Sequence, residues 1–272
     1  MKEGTTSRGR FIDTDSYVTP ENTPRAFFDK ILFGGSLYFW IMFISQLFKS
    51  RKTALNGRFD THTWASRSMD IFELIERCGG KFDIRGLDHI QSSKEPVVFV
   101  SNHMSMLESM VLPGLIASRR EVTFVVKKSL TTHPIFGPVM RARGPIAVDR
   151  QDPISDFKKV MLDGTESLKN NVSVVIFPQS QRMVKFNPKQ FNTLGIKLAK
   201  NANVKVVPLA IKTDFWENGT LLKDIGVIHR DLRIYFEFGE PISIDGAGKK
   251  EQQMIIDHIH SHLKKWGGQV ED

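Results

Sequence analysis

Val97-Val-Phe-Val-Ser101-Asn102-His103-Met-Ser105-Met-Leu-Glu108 joins a short apolar, β-branched run to the start of a helical pattern, with a histidine in the turn between them. An apolar run of this length, closed by turn residues, reads as a strand buried on both faces. The same texture recurs downstream. Strand candidates fall at 81–85, 97–101, 122–126, 145–148, 172–177, 204–211 and 232–238, and helical patterns lie near 105–117, 154–168, 191–201 and 249–266. Strands alternating with helices predict an α/β fold with an about seven-stranded, largely parallel sheet covered by helices over residues 81–272. Ligands in such sheets bind beyond the carboxyl ends of the strands, which directs attention to strand-end residues such as His103.

Upstream the composition changes. Residues 1–24 are rich in Thr, Ser, Gly, Pro and charge and read as a disordered tail. Residues 25–80 read as an N-terminal helical hairpin serving as a membrane anchor. Its first arm, from Ile31 to Phe48, has no charged residue and is bracketed by Lys30 and by Lys49, Arg51 and Lys52. As a helix that arm is about 27 Å long, just short of a ~30 Å hydrocarbon core. It can span once, lie in one leaflet with its basic flanks on headgroups, or be a buried helix of the core. The second arm runs from about 60 to 78 and is stopped by Gly79-Gly80. The expected location is the cytoplasmic face of a membrane, with membrane lipids as partners.

The chain has 272 residues and a formal charge of +8. That balance favours anionic partners, and with no stacking-aromatic or groove-reading motif, nucleic acid is not among them. A single cysteine, Cys78, excludes an intramolecular disulfide and a multi-cysteine metal cluster. No G-x-S-x-G elbow is present, and no third ligand stands near His103 at metal spacing. His258, His260 and His262 read as features of a surface helix.

Two readings of the opening stretch stand side by side. Ser105-x-x-Glu108 is a capping-box signature. If Ser105 caps the helix, Glu108 is at N3, from which a carboxylate can also reach a histidine in the preceding turn. A carboxylate on one ring nitrogen fixes the tautomer and leaves the other nitrogen free as a base. Further on, Lys127, Lys128, Arg141, Arg143 and Arg150 crowd a short span with one acid, Asp149. Such a patch suits a phosphate, or is a solvated basic face.

Asn102-His103-Met-Ser105-Met-Leu-Glu108 resembles the N-H-x-S-x-x-D motif of the glycerolipid (lysophospholipid) acyltransferases, the family of 1-acylglycerol-3-phosphate acyltransferases, with Glu in place of Asp. Three later blocks follow in order. Val126-Lys127-Lys128-Ser129-Leu130 resembles A-K-x-E-L, and Gly144-Pro-Ile-Ala-Val-Asp-Arg150 keeps the Gly and Arg of G-x-x-F-x-x-R. Phe177-Pro178-Gln179-Ser180-Gln181-Arg182 stands where the family has F-P-E-G-T-R. Val204–Ile211 and Gly239-Glu240-Pro241-Ile242 resemble the closing blocks.

The resemblance implies that His103 is the general base, oriented by Glu108. It implies substrate binding by Lys127, Gly144, Arg150, Pro178, Gln179, Ser180 and Arg182. The implied reaction moves a fatty acyl group from acyl-CoA or acyl carrier protein to the hydroxyl of a lysophospholipid, first of all 1-acylglycerol-3-phosphate, with no cofactor and no metal. The departures at 108 and 179–181 leave two alternatives, another lyso-lipid acceptor or a catalytically silent lipid-binding homologue.

Overall fold

The computed structural model describes residues 11–31, 36–179, 181–219 and 224–271. The chain runs β1 (Tyr17–Val18), α1 (Phe27–Ile31), α2 (Leu37–Leu55), α3 (Thr61–Arg77), β2 (Phe82–Arg85), β3 (Val97–Ser101), α4 (Leu107–Ile116), β4 (Val122–Lys127), α5 (Ser129–Thr132), α6 (Gly137–Arg143) and β5 (Ile146–Val148). It continues through α7 (Pro153–Lys169), β6 (Ser173–Ile176), α8 (Leu194–Ala202), β7 (Lys205–Lys212), β8 (Ile234–Phe238) and α9 (Lys249–Lys265). The eight strands form one sheet in the order β1-β2-β8-β7-β3-β6-β4-β5. All neighbours are parallel except β1 with β2 and β7 with β8.

The apolar runs form strands because helices cover both faces of the sheet. In β3, Val97 and Phe99 face one core with α3 and α4, while Val98 and Val100 face the other with α7, α8 and α9. Strand β7 divides the same way, with Val207, Leu209 and Ile211 on the first face and Val206 and Ala210 on the second. Each large side chain so buried contributes about 1.5–3 kcal/mol. The seven foreseen strands are present, and the mixed α/β sheet is as expected.

The eighth strand corrects the reading of residues 1–24 as a disordered tail. Residues 1–10 lie outside the described residues, but Tyr17 and Val18 pair antiparallel with Ile84 and Asp83. The Tyr17 and Thr19 hydroxyls both donate to Glu76 Oε1, at 2.7 and 2.5 Å. Polar composition around it concealed this two-residue edge strand, whose Tyr17 ring packs against Phe72 while its hydroxyl bonds Glu76.

The two upstream helices follow the expected pattern, with changed bounds. Helix α2 continues past Phe48 to Leu55, so Lys49, Arg51 and Lys52 are helical rather than flanking, and residues 32–35 of the apolar arm lie outside the described residues. Among the described residues, no helix is long and apolar enough to cross a membrane. One face of α2 is buried: Phe39 and Phe43 meet the Trp216 ring at 5.1 and 4.9 Å. The other exposes Leu37, Ile41, Ile44, Phe48 and Leu55 at helical spacing.

Helix α3 is part of the main core. It starts at Asp60, whose carboxylate accepts the Thr63 N–H at 2.7 Å, and buries Trp64, Met69, Ile71, Phe72, Leu74 and Ile75. Its contact with α4 is unusually close. Pro113 cannot donate to the α4 ladder, and the next N–H, of Gly114, goes to the Ser68 hydroxyl at 2.8 Å. That hydroxyl donates to the Met110 carbonyl at 2.5 Å, so a side chain of α3 is inserted into the α4 ladder.

Candidate active site

Strand β3 ends at Ser101, and the residue after it holds the chain to β7. The Asn102 side-chain amide donates from Nδ2 to the Ile211 carbonyl at 2.8 Å and accepts the Ile211 N–H at 3.0 Å. Its main chain is thus free to turn, which puts His103 outside the sheet end. The His103 N–H donates to Gln179 Oε1 at 2.8 Å and its carbonyl accepts from Met183 N–H at 2.8 Å. The imidazole lies flat against the Phe177 ring, at 4.3 Å and 17°. Both the base and its immediate setting come from strand ends.

Glu108, in the first turn of α4, makes the capping and the orienting contacts together. Its Oε1 accepts from the N–H groups of Met104 and Ser105 at 2.7 and 2.8 Å, and from His103 Nδ1 at 2.8 Å. Its Oε2 accepts from the Ser105 and Thr213 hydroxyls at 3.0 and 2.7 Å. The carboxyl group has no exposed surface. Burial by itself would raise its pKa. The hydrogen bond and charge of His103, with the Thr213 hydroxyl and the Ser105 N–H, outweigh that and hold it below the usual carboxylate range. A buried carboxylate with five donors is a satisfied one, so it stays ionised.

With Nδ1 committed to Glu108, Nε2 is the nitrogen left for chemistry. The His103 side chain is 11% exposed, and His103 lines a cleft of about 1040 Å³. Trp64, Met110, Phe124, Phe136, Val139 and Met140 give that cleft an apolar arm between α3, β4 and α6. Lys127, Arg150 and Arg182 stand along it as cations. Arg150 has its pKa lowered, first by burial and then by the charge of Arg182, so the two guanidinium groups share one region. Lys127, at the end of β4, has no ion pair among the described residues. Two like charges held together in a cleft suit a dianion.

The remaining foreseen residues separate. Pro178 and Gln179 line the cleft, and Pro178 accepts at its carbonyl from Asn192 Nδ2. Ser180 lies outside the described residues. Gly144 sits between Arg143 and Pro145, both of which line the cleft. It caps α6 with φ +54°, a left-handed conformation suited to glycine, and so turns the chain into β5.

Two site residues were not singled out from the sequence. Thr213 follows the end of β7 and reaches Glu108 from 105 positions away. Asp224 pairs with Arg182 at 2.6 Å and puts an acid beside the cationic rim. The strand-end rule flags Thr213 as a site candidate, although not its partner.

Residues 81–212 match the protein-family model described as Acyltransferase. Among similar proteins, a 1-acyl-sn-glycerol-3-phosphate acyltransferase of Pseudomonas aeruginosa is 30% identical over 172 residues, covering 63% of this chain and 64% of the relative. A chloroplastic 1-acyl-sn-glycerol-3-phosphate acyltransferase of Arabidopsis thaliana is 32% identical over 156 residues, covering 56% and 40%. The matches span less than two thirds of each relative's length. The crystal structure of a 1-acyl-sn-glycerophosphate acyltransferase, PlsC, from Thermotoga maritima has the same fold. Its TM-score is 0.61 at 15% identity, over 90% of this chain and 95% of that one.

Proposed function

We propose that this chain transfers a fatty acyl group from a thioester, acyl-CoA or acyl carrier protein, to the free hydroxyl of 1-acylglycerol-3-phosphate, giving phosphatidic acid. The observation that carries the reading is the buried Glu108–His103 pair, with the imidazole at the wall of a cleft that is apolar along one arm and cationic along another. The names of the relatives point to the same acceptor. In this mechanism the acceptor's phosphate lies on Arg150, Arg182 and Lys127, and its hydroxyl lies against His103 Nε2. His103 takes the hydroxyl proton while Glu108 stabilises the imidazolium, and the oxygen attacks the thioester carbonyl. Collapse of the tetrahedral adduct expels the thiolate, which recovers the proton from His103. The acyl chain occupies the apolar arm.

The same reading puts the molecule at the cytoplasmic face of a membrane. Support comes from the exposed Phe27, Phe28 and Ile31 of α1, the apolar stripe of α2, and Lys30, Lys49 and Lys52 beside them. A stripe with basic neighbours suits interfacial insertion.

The test is product analysis by mass spectrometry after incubating the full chain with mixed lyso-lipids and acyl donors. Phosphatidic acid is the expected product, and His103→Ala abolishes it; near wild-type transfer by His103→Ala would end the mechanism. One observation favours a second reading. Asp224 on Arg182 puts a negative charge in the anion subsite, which suits an acceptor whose headgroup is less charged than a phosphate monoester. A preference for such a lyso-lipid in the same panel would decide for it.

A further inference from the structure

The side-chain amide of Gln179 is fixed at one end and unfilled at the other. Its Oε1 accepts the His103 main-chain N–H at 2.8 Å. Turned over, the amide would oppose N–H to N–H, so it has one orientation. Nε2 is thereby aimed away from the His103 backbone. It is buried and has no hydrogen-bond partner among the described residues. Gln179 as a whole is 3% exposed and lines the same cleft as His103 and Phe177.

A buried amide N–H without an acceptor is costly, and native structures leave few of them. Such a donor beside a catalytic base is accounted for when the missing acceptor arrives with the substrate. The chemistry of position 179 sharpens this. The resembling family has a carboxylate there, which only accepts hydrogen bonds. Glutamine keeps one acceptor, which His103 uses, and adds one donor, which nothing uses.

We propose that Gln179 Nε2 donates to the oxygen of the scissile carbonyl as it becomes an oxyanion. Gln179 would then be a catalytic residue in addition to His103. The inference rests on the acyl-transfer reading above. The step is balanced without any further reactant. The acceptor hydroxyl loses its proton to His103, its oxygen forms a bond to the thioester carbon, and the carbonyl π pair moves onto the oxygen facing Nε2. When that pair returns, the carbon–sulfur bond breaks, and the thiolate takes the proton from His103. A donor tied to the base's own backbone cannot drift from the base, so the distance between proton acceptor and oxyanion donor is set in advance. The phosphate is a poorer match for this amide, because Arg150 and Arg182 along the cleft already offer it charge.

Gln179→Glu separates the two ends of the amide. One carboxylate oxygen still accepts the His103 N–H, while the other presents a lone pair where the donor stood. Steady-state kinetics of the full chain in mixed micelles, with 1-acylglycerol-3-phosphate and the thioester that the wild type uses, read the result. The expected outcome is a 100- to 1,000-fold fall in kcat, on the order of one lost oxyanion donor, with the acceptor KM within about threefold. A kcat within threefold of wild type, or a loss confined to KM, overturns the proposal. If Gln179→Glu shows no cooperative thermal transition, Gln179→Met takes its place. The same kcat loss with an unchanged pH–rate profile is then expected, whereas retained kcat or a displaced profile refutes the donor role. A wild type that transfers no acyl group to any lyso-lipid removes the acyl-transfer reading and this inference together. Failure of the Gln179 variants against an active wild type removes this inference alone.

Discussion

Glu108→Gln is the most discriminating substitution at the site, because it removes a charge while leaving the shape. The glutamine carbonyl can take the place of Oε1 and keep the N–H groups of Met104 and Ser105 and the Nδ1 proton of His103. Its NH2 then faces the Ser105 and Thr213 hydroxyls, each of which can rotate from donating to accepting. The helix start is therefore preserved. What disappears is the carboxylate that faces the imidazolium at the moment of proton transfer. The Nδ1–Oε1 distance of 2.8 Å puts the charge centres about 4 Å apart, which at an effective dielectric of 20 is worth about 4 kcal/mol. Since each 1.36 kcal/mol is tenfold in rate, kcat should fall about 1,000-fold. Single-turnover measurements of acyl transfer, at several pH values to hold the base deprotonated, read this directly. A companion melting curve should show a loss of no more than about 1 kcal/mol. Retention of kcat within tenfold would refute the orienting and charge-stabilising role and leave Glu108 as a cap alone. A collapse of the melting transition would refute the premise that the amide preserves the helix start.

Thr213→Val removes one of two donors to Glu108 Oε2, so kcat should fall about tenfold and stability by roughly 1–3 kcal/mol; unchanged kinetics would mean the carboxylate is held without it. Ser68→Ala leaves the Gly114 N–H and the Met110 carbonyl to re-pair across Pro113 or stay open, with an expected loss of 1–3 kcal/mol in urea unfolding, and a change under about 0.3 kcal/mol would show the ladder closing unaided. His258 has its pKa pushed down from 6.5 to about 4, first by burial and also by the charges of His262 and His89, against the raising effect of its hydrogen bond to the Glu237 carbonyl. A base whose folded pKa is depressed costs stability as the pH falls from 6.5 toward 4, because the unfolded chain takes the proton first. Stability should therefore drop by about 2 kcal/mol between pH 7 and pH 5 from this group, and His258→Gln should flatten that slope in urea titrations; an equal slope in the variant would reassign it.

How much was legible follows from how local each signal is. Strand β3, the turn at His103 and the start of α4 lie within twelve consecutive residues, and period, turn chemistry and capping all speak within that window. The helix-start and histidine-orienting readings of Glu108 competed only on paper, since two oxygens and five donors allow both, although Met106 rather than Ser105 is the N-cap and Glu108 is one position nearer it than expected. Thr213 and Asp224 were not legible, because their roles consist of contacts with residues over 100 and over 40 positions away. Gly144 also has a backbone role, since its φ of +54° at the end of α6 is a requirement that a string of letters does not display. Strand β1 was missed because two residues are too few to carry a period.

The Asn102 side chain, bonded to both backbone groups of Ile211, acts as a surrogate peptide. It adds one more rung to the sheet after the main chain has left it. The base is therefore mounted on two central strands of the sheet, while the loop positions 177–179 and 181–183 lie beyond the end of β6. Substitutions in that loop can change which headgroup is accepted without moving the histidine. A chain built this way can keep its chemistry constant while its substrate range drifts, and the unusual Ser180-Gln181 pair that follows Gln179 is where such drift would be written.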